Sequence, residues 1–251
     1  MKKCAAVLRN PNEFDSTKCL TLNPTKNSKL KHILKLLPIC IIFLGTISCL
    51  HAQNSERFAN EVNELSKRND SLWNKKRETI IFTGSSSIRK WDNLQESFPD
   101  HQVLNSGFGG SEATDLLYYL DTLVIKYNPT KVFIYEGDND ISAKKKPNEI
   151  IETTEAIVEK IRRRNSNVKI VLISAKPSIS RWKLRRKYKR LNRKFKRMTK
   201  KDESLLFVDV WHPMLNKRKL MKDLFVSDGL HMNAKGYDIW YNTMQHLVNN
   251  P

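Results

Sequence analysis

No cysteine follows Cys49. All four cysteines, Cys4, Cys19, Cys40 and Cys49, lie in the first fifth of a 251-residue chain. Everything downstream is therefore without a disulfide, a thiol nucleophile or a cysteine-rich zinc site. Glycine and proline are also sparse, at 8 and 9 residues with no Gly-X-Y period, which excludes a collagen-like chain. Acidic residues are short as well: 26 Asp+Glu stand against 45 Lys+Arg, for a formal net charge of +19. Long apolar runs are missing too. The most apolar stretch, from Leu36 to Leu50, is interrupted by Pro38 and too short to cross ~30 Å of hydrocarbon comfortably as a helix. What is present, 39% hydrophobic residues and several strand-like runs, is enough for one α/β domain and argues against wholesale disorder.

The first fifty residues read as an address. A basic stretch from Lys29 to Lys35, then the apolar run, then small residues is the order of a secretory signal. Cleavage after Ala52 would leave Gln53 first; Thr46-Ile47-Ser48-Cys49 is also a loose lipobox, in which Cys49 would be lipidated and retained. An exported protein, periplasmic or extracellular, is expected, with a membrane-tethered lipoprotein as the alternative. The chain divides into an N-terminal extension and signal at 1–52, an N-terminal helix within 53–77 and one domain at 78–251.

Most of the positive charge has a single source. Thirteen Lys and Arg fall between Arg181 and Lys201, a segment without an acid, and the rest of the chain after residue 52 is neutral by count. Leu184, Tyr188, Leu191, Phe195 and Met198 recur there at helical spacing, so the segment is a helix with an inward apolar stripe. Its outward cations are either a solvated face or a surface for anionic envelope lipid or polysaccharide. Nucleic acid is not expected, because Trp182, Tyr188 and Phe195 are needed for packing. Nothing bears on oligomeric state.

Short β-branched runs occur at Thr79–Thr83, Val103-Leu104, Lys131–Tyr135, Val168–Ile173 and Leu205–Asp209. Helical patterns lie between them: Glu56 to Lys75 with Phe58, Val62, Leu65 and Leu72 on the apolar side, Ala113 to Tyr127, Asn148 to Arg164, Ile179 to Lys200 and Asn233 to Val248. Strands separated by helices predict a three-layer α/β sandwich around a doubly wound, flavodoxin-like parallel sheet of about five strands. Ligands bind such sheets at the carboxyl ends of the strands, so the residues just after each strand carry the interest.

Four segments there could do chemistry. Gly84-Ser85-Ser86-Ser87 follows the first strand, where a serine can project its hydroxyl above the sheet. Asn105-Ser106-Gly107-Phe108-Gly109-Gly110-Ser111 follows the second; its glycines allow close backbone approach and N–H donation to an oxyanion, or make a plain flexible turn. Gly137-Asp138-Asn139-Asp140 follows the third: the asparagine amide could be a donor to the same oxyanion, the two aspartates could hold a metal, or the whole could be an Asx-turn. Asp228-Gly229-Leu230-His231, near the C-terminus, spaces an acid to orient a histidine as base. His101, His212 and His246 have no comparable setting, and His212 before Pro213 reads as structural.

Together these segments resemble the SGNH (GDSL-type) esterase/lipase family, and the stretches Gly84 to Trp91 and Asn105 to Asp115 resemble its bacterial branch similar to platelet-activating-factor acetylhydrolase. The resemblance runs from Thr79 to about Trp240. It implies Ser86 as nucleophile, Asp228 and His231 completing a triad, and an oxyanion hole from the Ser86 and Gly110 N–H groups and the Asn139 amide. Ser85 stands where the family usually has Asp. The activity implied is hydrolysis of short-chain, chiefly acetyl, esters of carbohydrates or of small lipids and lysophospholipids, with no metal or organic cofactor. The alternative from another class is a catalytically silent envelope-binding protein that uses the basic helix 181–201.

Overall fold

The structure, a computed structural model, describes residues 55–250. The expected signal segment, with the Ala52 cleavage site and Cys49, lies outside the described residues. A short 3-10 turn leads into helix α1 (Ala59–Leu72). Then come strand β1 (Thr79–Gly84), helices α2 (Ser86–Arg89) and α3 (Leu94–Ser97), strand β2 (Gln102–Gly107) and helix α4 (Ala113–Leu123). Strand β3 (Lys131–Tyr135) is followed by α5 (Asp138–Ser142) and α6 (Pro147–Arg164), and strand β4 (Lys169–Ile173) by α7 (Arg185–Met198). Strand β5 (Leu205–Val208), a small hairpin of β6 (Leu215–Asn216) and β7 (Lys219–Leu220), and α8 (Ala234–Asn249) complete the chain.

The five main strands form one parallel sheet in the order β2-β1-β3-β4-β5, the flavodoxin-like arrangement. Because strand side chains alternate between faces, each strand feeds two cores. Ile81, Leu104, Val132, Ile134, Ile170 and Leu172 pack under α1, α4, α6 and α7. Ile80, Phe82, Val103, Phe133, Val171 and Ile173 pack on the opposite side, where Trp91, Trp240, Met244 and Val248 from α8 and the α2–α3 region cover them. The runs are apolar throughout because both faces are buried.

Three details depart from the periodicity. Leu72 is 61% exposed rather than part of the α1 stripe. The buried face of α1 turns polar after Leu65, where Asn69 donates to the Ser106 hydroxyl at 2.9 Å. The helix expected from Ala113 to Tyr127 breaks at Val124, whose φ of −130° is non-helical, and ends as a 3-10 turn. Residues Ile179 to Arg181, expected to start the basic helix, lie ahead of it: the N–H groups of Ile179 and Ser180 both donate to Gly229 O, at 2.8 and 3.0 Å. That cross-chain tie displaces the first turn of the helix.

Register determines where the loops emerge. Gly84 pairs with Gly107 on one side and Tyr135 on the other, so β1, β2 and β3 end level. Gly84 sits at φ +122°, and a Cβ there would lie 2.1 Å from Tyr135 O. Only glycine lets the chain turn out of β1 while the Ser85 N–H donates to that carbonyl at 3.1 Å. Gly84→Ala should therefore lower stability by more than about 3 kcal/mol, read as a drop in the urea midpoint. A wild-type midpoint would contradict the constraint.

Candidate active site

The loops after β1, β2 and β3 and the segment before α8 meet at the carboxyl edge of the sheet, beside the point where strand order reverses. Ser86 is the first residue of α2, and the extended backbone of Ser85 turns it out of the sheet. Its hydroxyl lies 2.9 Å from His231 Nε2. On the other side of the ring, Nδ1 is 2.5 Å from Asp228 Oδ2. The second oxygen of Asp228 accepts from the Leu230 and His231 N–H groups at 2.8 and 2.9 Å, so the acid is locked to the turn that carries the histidine. Burial would raise the Asp228 carboxyl, but these hydrogen bonds from the His231 ring and the two N–H groups hold it well below the ordinary carboxylate range. An ionised carboxylate on Nδ1 leaves Nε2 to accept from a hydroxyl.

The other expected residues collect around the same hydroxyl. Gly110 has φ +74° and open space where a Cβ would stand. Among the described residues, neither its N–H nor that of Ser86 has a backbone acceptor. Asn105 fixes the spacing of the two segments, donating to Ile88 O at 2.8 Å and accepting from the Gly107 N–H at 3.0 Å. Asn139 lies in the first turn of α5; its amide donates to Ser111 O at 2.8 Å, and its carbonyl accepts from Arg181 Nη2 at 3.0 Å. One amide N–H remains for a ligand.

The aspartates flanking Asn139 are occupied by protein donors, which does not fit the alternative of a metal site. Asp140 accepts from the N–H groups of Gly137 and Ala113, each at 3.2 Å, and so ties the β3 loop to the start of α4. Asp138 accepts from Tyr135 Oη at 3.0 Å, Tyr188 Oη at 2.7 Å and Arg181 Nη1 at 2.6 Å, with Lys176 Nζ 3.9 Å away. Burial pushes the Asp138 carboxyl up, but the neighbouring Lys176 and Arg181 more than offset it and hold the group below its ordinary value.

Three residues of this arrangement, Arg181, Lys176 and Glu136, are not singled out by sequence. In sequence Arg181 is only the first member of a charge run, yet it forks between Asp138 and Asn139. Lys176 is fully buried and donates to Leu230 O at 2.6 Å, within the Asp228–His231 turn. Ser111 donates to Glu136 at 2.7 Å, and burial pushes that carboxyl well up. No short spacing links these residues to the motifs they support. His212 corrects the expectation in the other direction: its Nδ1 lies 2.6 Å from Asp209 Oδ2, and the Trp211 and His212 N–H groups reach Asp209 Oδ1 at 2.9 and 3.3 Å. The turn resembles that of Asp228 and His231. Among the described residues, however, no hydroxyl meets the far side of the ring, which is 74% exposed.

The sequence profile described as the GDSL-like Lipase/Acylhydrolase family matches residues 70–239. In structure the chain is similar to a Streptococcus pneumonia protein provisionally assigned as a platelet activating factor, at 22% identity and TM-score 0.66, over 81% of this chain and 99% of that one. It is also similar to a mutant of an acetyl-xylooligosaccharide esterase from Geobacillus, at 20% identity and TM-score 0.57, over 69% of this chain and 95% of that one. At these identities the likeness is one of fold. Among curated proteins, the N-acylneuraminate cytidylyltransferase of Escherichia coli O18:K1:H7 is 24% identical over 192 residues. The match takes in 75% of this chain and only 43% of that protein, so the chain spans less than half the length of that relative.

Asp140 gives a pH signature. Burial is the main cause that pushes its carboxyl up, to about 6. Between its unfolded value of about 4 and this folded value, the native state holds the extra proton, so the stabilisation is full below pH 4 and is lost as pH rises through 6. The thermal stability of wild type relative to Asp140→Asn should fall from pH 4 to pH 7 by an amount on the order of 3 kcal/mol. A constant difference would place the carboxyl at its ordinary value.

Proposed function

The chain belongs to the GDSL-like lipase/acylhydrolase family, and from that premise we propose that it is an exported serine esterase that removes short acyl groups, chiefly acetyl, from carbohydrate or small lipid esters. One observation carries the reading: Ser86 Oγ, His231 and Asp228 form a continuous hydrogen-bonded chain with 2.9 and 2.5 Å links. His231 takes the hydroxyl proton as Ser86 Oγ attacks the ester carbonyl, and gives it to the departing alcohol. Water then attacks the acyl-enzyme, with His231 accepting its proton, and the acid is released with Ser86 restored. Asp228 holds the ring in the tautomer that leaves Nε2 free to accept and stabilises the imidazolium formed in each half-reaction.

Charge on the carbonyl oxygen is met by the N–H groups of Ser86 and Gly110 and by the free Asn139 N–H. Donors already fixed by the fold cost no reorganisation as that charge grows. Arg181 sharpens the last of them. A guanidinium on the Asn139 carbonyl both prevents rotation of the amide and draws density from its nitrogen, which makes the N–H a stronger donor.

The acetyl preference draws on the acetyl-xylooligosaccharide esterase among the structural neighbours. Export rests on the order of basic, apolar and small residues from Lys29 to Ala52.

Hydrolysis of p-nitrophenyl acetate by the wild-type protein, with a longer-chain ester in parallel, should be abolished in Ser86→Ala. Equal, negligible rates in the two folded proteins would favour the silent binding protein instead. Asn139→Ala should lower kcat by about 10²–10³ with a smaller change in KM. Arg181→Met should lower kcat about tenfold at unchanged KM; a loss confined to KM would make Arg181 a substrate contact instead of a support for Asn139.

A further inference from the structure

The cations of α7 have no acid to meet. Among the described residues none of them forms an ion pair, whereas Arg181, just ahead of the helix, and Arg162 and Arg163 of α6 all do. They do not all project into open solvent. Lys189, Arg193 and Lys196 form one wall of a cleft of about 310 Å³, whose other wall is Phe207, Asp209, Trp211 and His212 at the end of β5. The only carboxylate lining the cleft, Asp209, is already engaged by the His212 ring and two backbone N–H groups. Lys189 Nζ stands 5.7 Å from the Trp211 ring. The cleft thus pairs three cations that lack an acidic partner with aromatic walls.

Its position relates it to Ser86. Both lie at the carboxyl ends of strands in one parallel sheet, and β5 is three strands from β1, or ~14 Å at the usual spacing. Trp211 stacks on Trp182 at 6.2 Å and 11°, and Trp182 directly follows Arg181, the residue on Asn139. A ligand that fills the cleft while presenting an ester to Ser86 must be elongated. It must also be acidic. A bilayer is the wrong shape for it: an interfacial helix inserts an apolar face, and the apolar face of α7, Tyr188, Leu191 and Phe195, is buried in the core. An anionic polysaccharide fits, because its carboxylates suit the cations, its sugar faces suit the rings and its length spans the separation.

We propose that this cleft is a subsite for an acidic sugar residue of an O-acetylated anionic polysaccharide, whose ester-bearing residue lies over Ser86. The inference rests on the carbohydrate-ester reading and names its substrate class. Uronic-acid polymers are the simplest members of that class.

The test compares wild type, a cleft variant (Lys189→Glu, Arg193→Glu, Lys196→Glu) and a control carrying the same charge change elsewhere on the helix (Lys187→Glu, Arg190→Glu, Arg197→Glu). The substrates are acetylated polygalacturonate, neutral acetylated xylan and p-nitrophenyl acetate. The cleft variant should raise KM on acetylated polygalacturonate at least tenfold, with kcat and both neutral substrates unchanged, and wild-type KM on the anionic polymer should rise with salt. An unchanged KM, or an equal rise in the control, would overturn the subsite. Binding of polygalacturonate without acetyl groups to Ser86→Ala gives a readout independent of catalysis: affinity lost on adding the cleft substitutions is expected. Tighter binding to phosphatidylglycerol vesicles or to an oligonucleotide than to polygalacturonate would overturn the glycan assignment. If p-nitrophenyl acetate is not hydrolysed at all, the esterase reading fails while the binding measurement still decides the subsite.

Discussion

Asp138 is a carboxylate buried beside the middle of the sheet, and the site is organised around compensating it. An ion taken out of water costs several kcal/mol unless it is paired and its remaining lone pairs are filled. Here two tyrosines and Arg181 donate to it, with Lys176 next to it. The consequence is geometric. Arg181 cannot serve Asp138 without also reaching the Asn139 carbonyl, and Lys176, held beside the same acid, places its ammonium on Leu230 O between Asp228 and His231. Both cations leave the loop after β4, so one loop braces the donor and the base from a single buried charge. Removing Asp138 would strand the buried Lys176 and the partly buried Arg181 at once, which is more destructive than losing any one of its hydrogen bonds.

The sheet supplies what this cluster does not. Level strand ends put Ser86, Gly110 and Asn139 on one rim, and the glycine at the end of β1 allows the chain to leave the sheet sharply enough for α2 to begin at the serine. Polar side chains then join neighbouring loops. Asn105 links α2 to the glycine loop, Asp140 links the β3 loop to α4, and Ser111 accepts from Asn139 through its carbonyl while donating to Glu136 through its hydroxyl. Glu136 is the least expected of these. Burial and the neighbouring Asp140 push its carboxyl well up, which disfavours a further negative charge in this loop.

What could be read from sequence follows from how local each feature is. The five strands showed because both faces of the sheet are buried, making each a continuous apolar run between turn residues. The site motifs showed because each is held largely by its own segment; the acid three residues before His231, for instance, bonds the N–H of that same residue. Arg181, Lys176 and Glu136 were hidden because their partners lie 25 to 54 residues away. The same distinction explains the Asp209–His212 turn. Its hydrogen bonds match those of Asp228 and His231, and only the long-range neighbour separates them: a serine 145 residues away in one case, solvent in the other. Leu72 failed for a related reason, since helical periodicity cannot know that α1 turns to a polar partner at Ser106.

The basic helix brings these scales together. Like charges three or four residues apart on a helix destabilise it by a few tenths of a kcal/mol per pair, and among the described residues no acid pairs with these. The helix persists because its other face buries Tyr188, Leu191 and Phe195, each worth roughly 1.5–3 kcal/mol when fully removed from water. Tyr188 and Asn192 on that face also bond Asp138 and the Ala175 backbone, which sets the helix at a fixed height above the sheet. The inner face therefore accounts for the fold and for the loop that braces Asn139. Among the described residues the outer cations form no ion pair, and the like-charge repulsion of those along the cleft is a cost that an anionic ligand would offset.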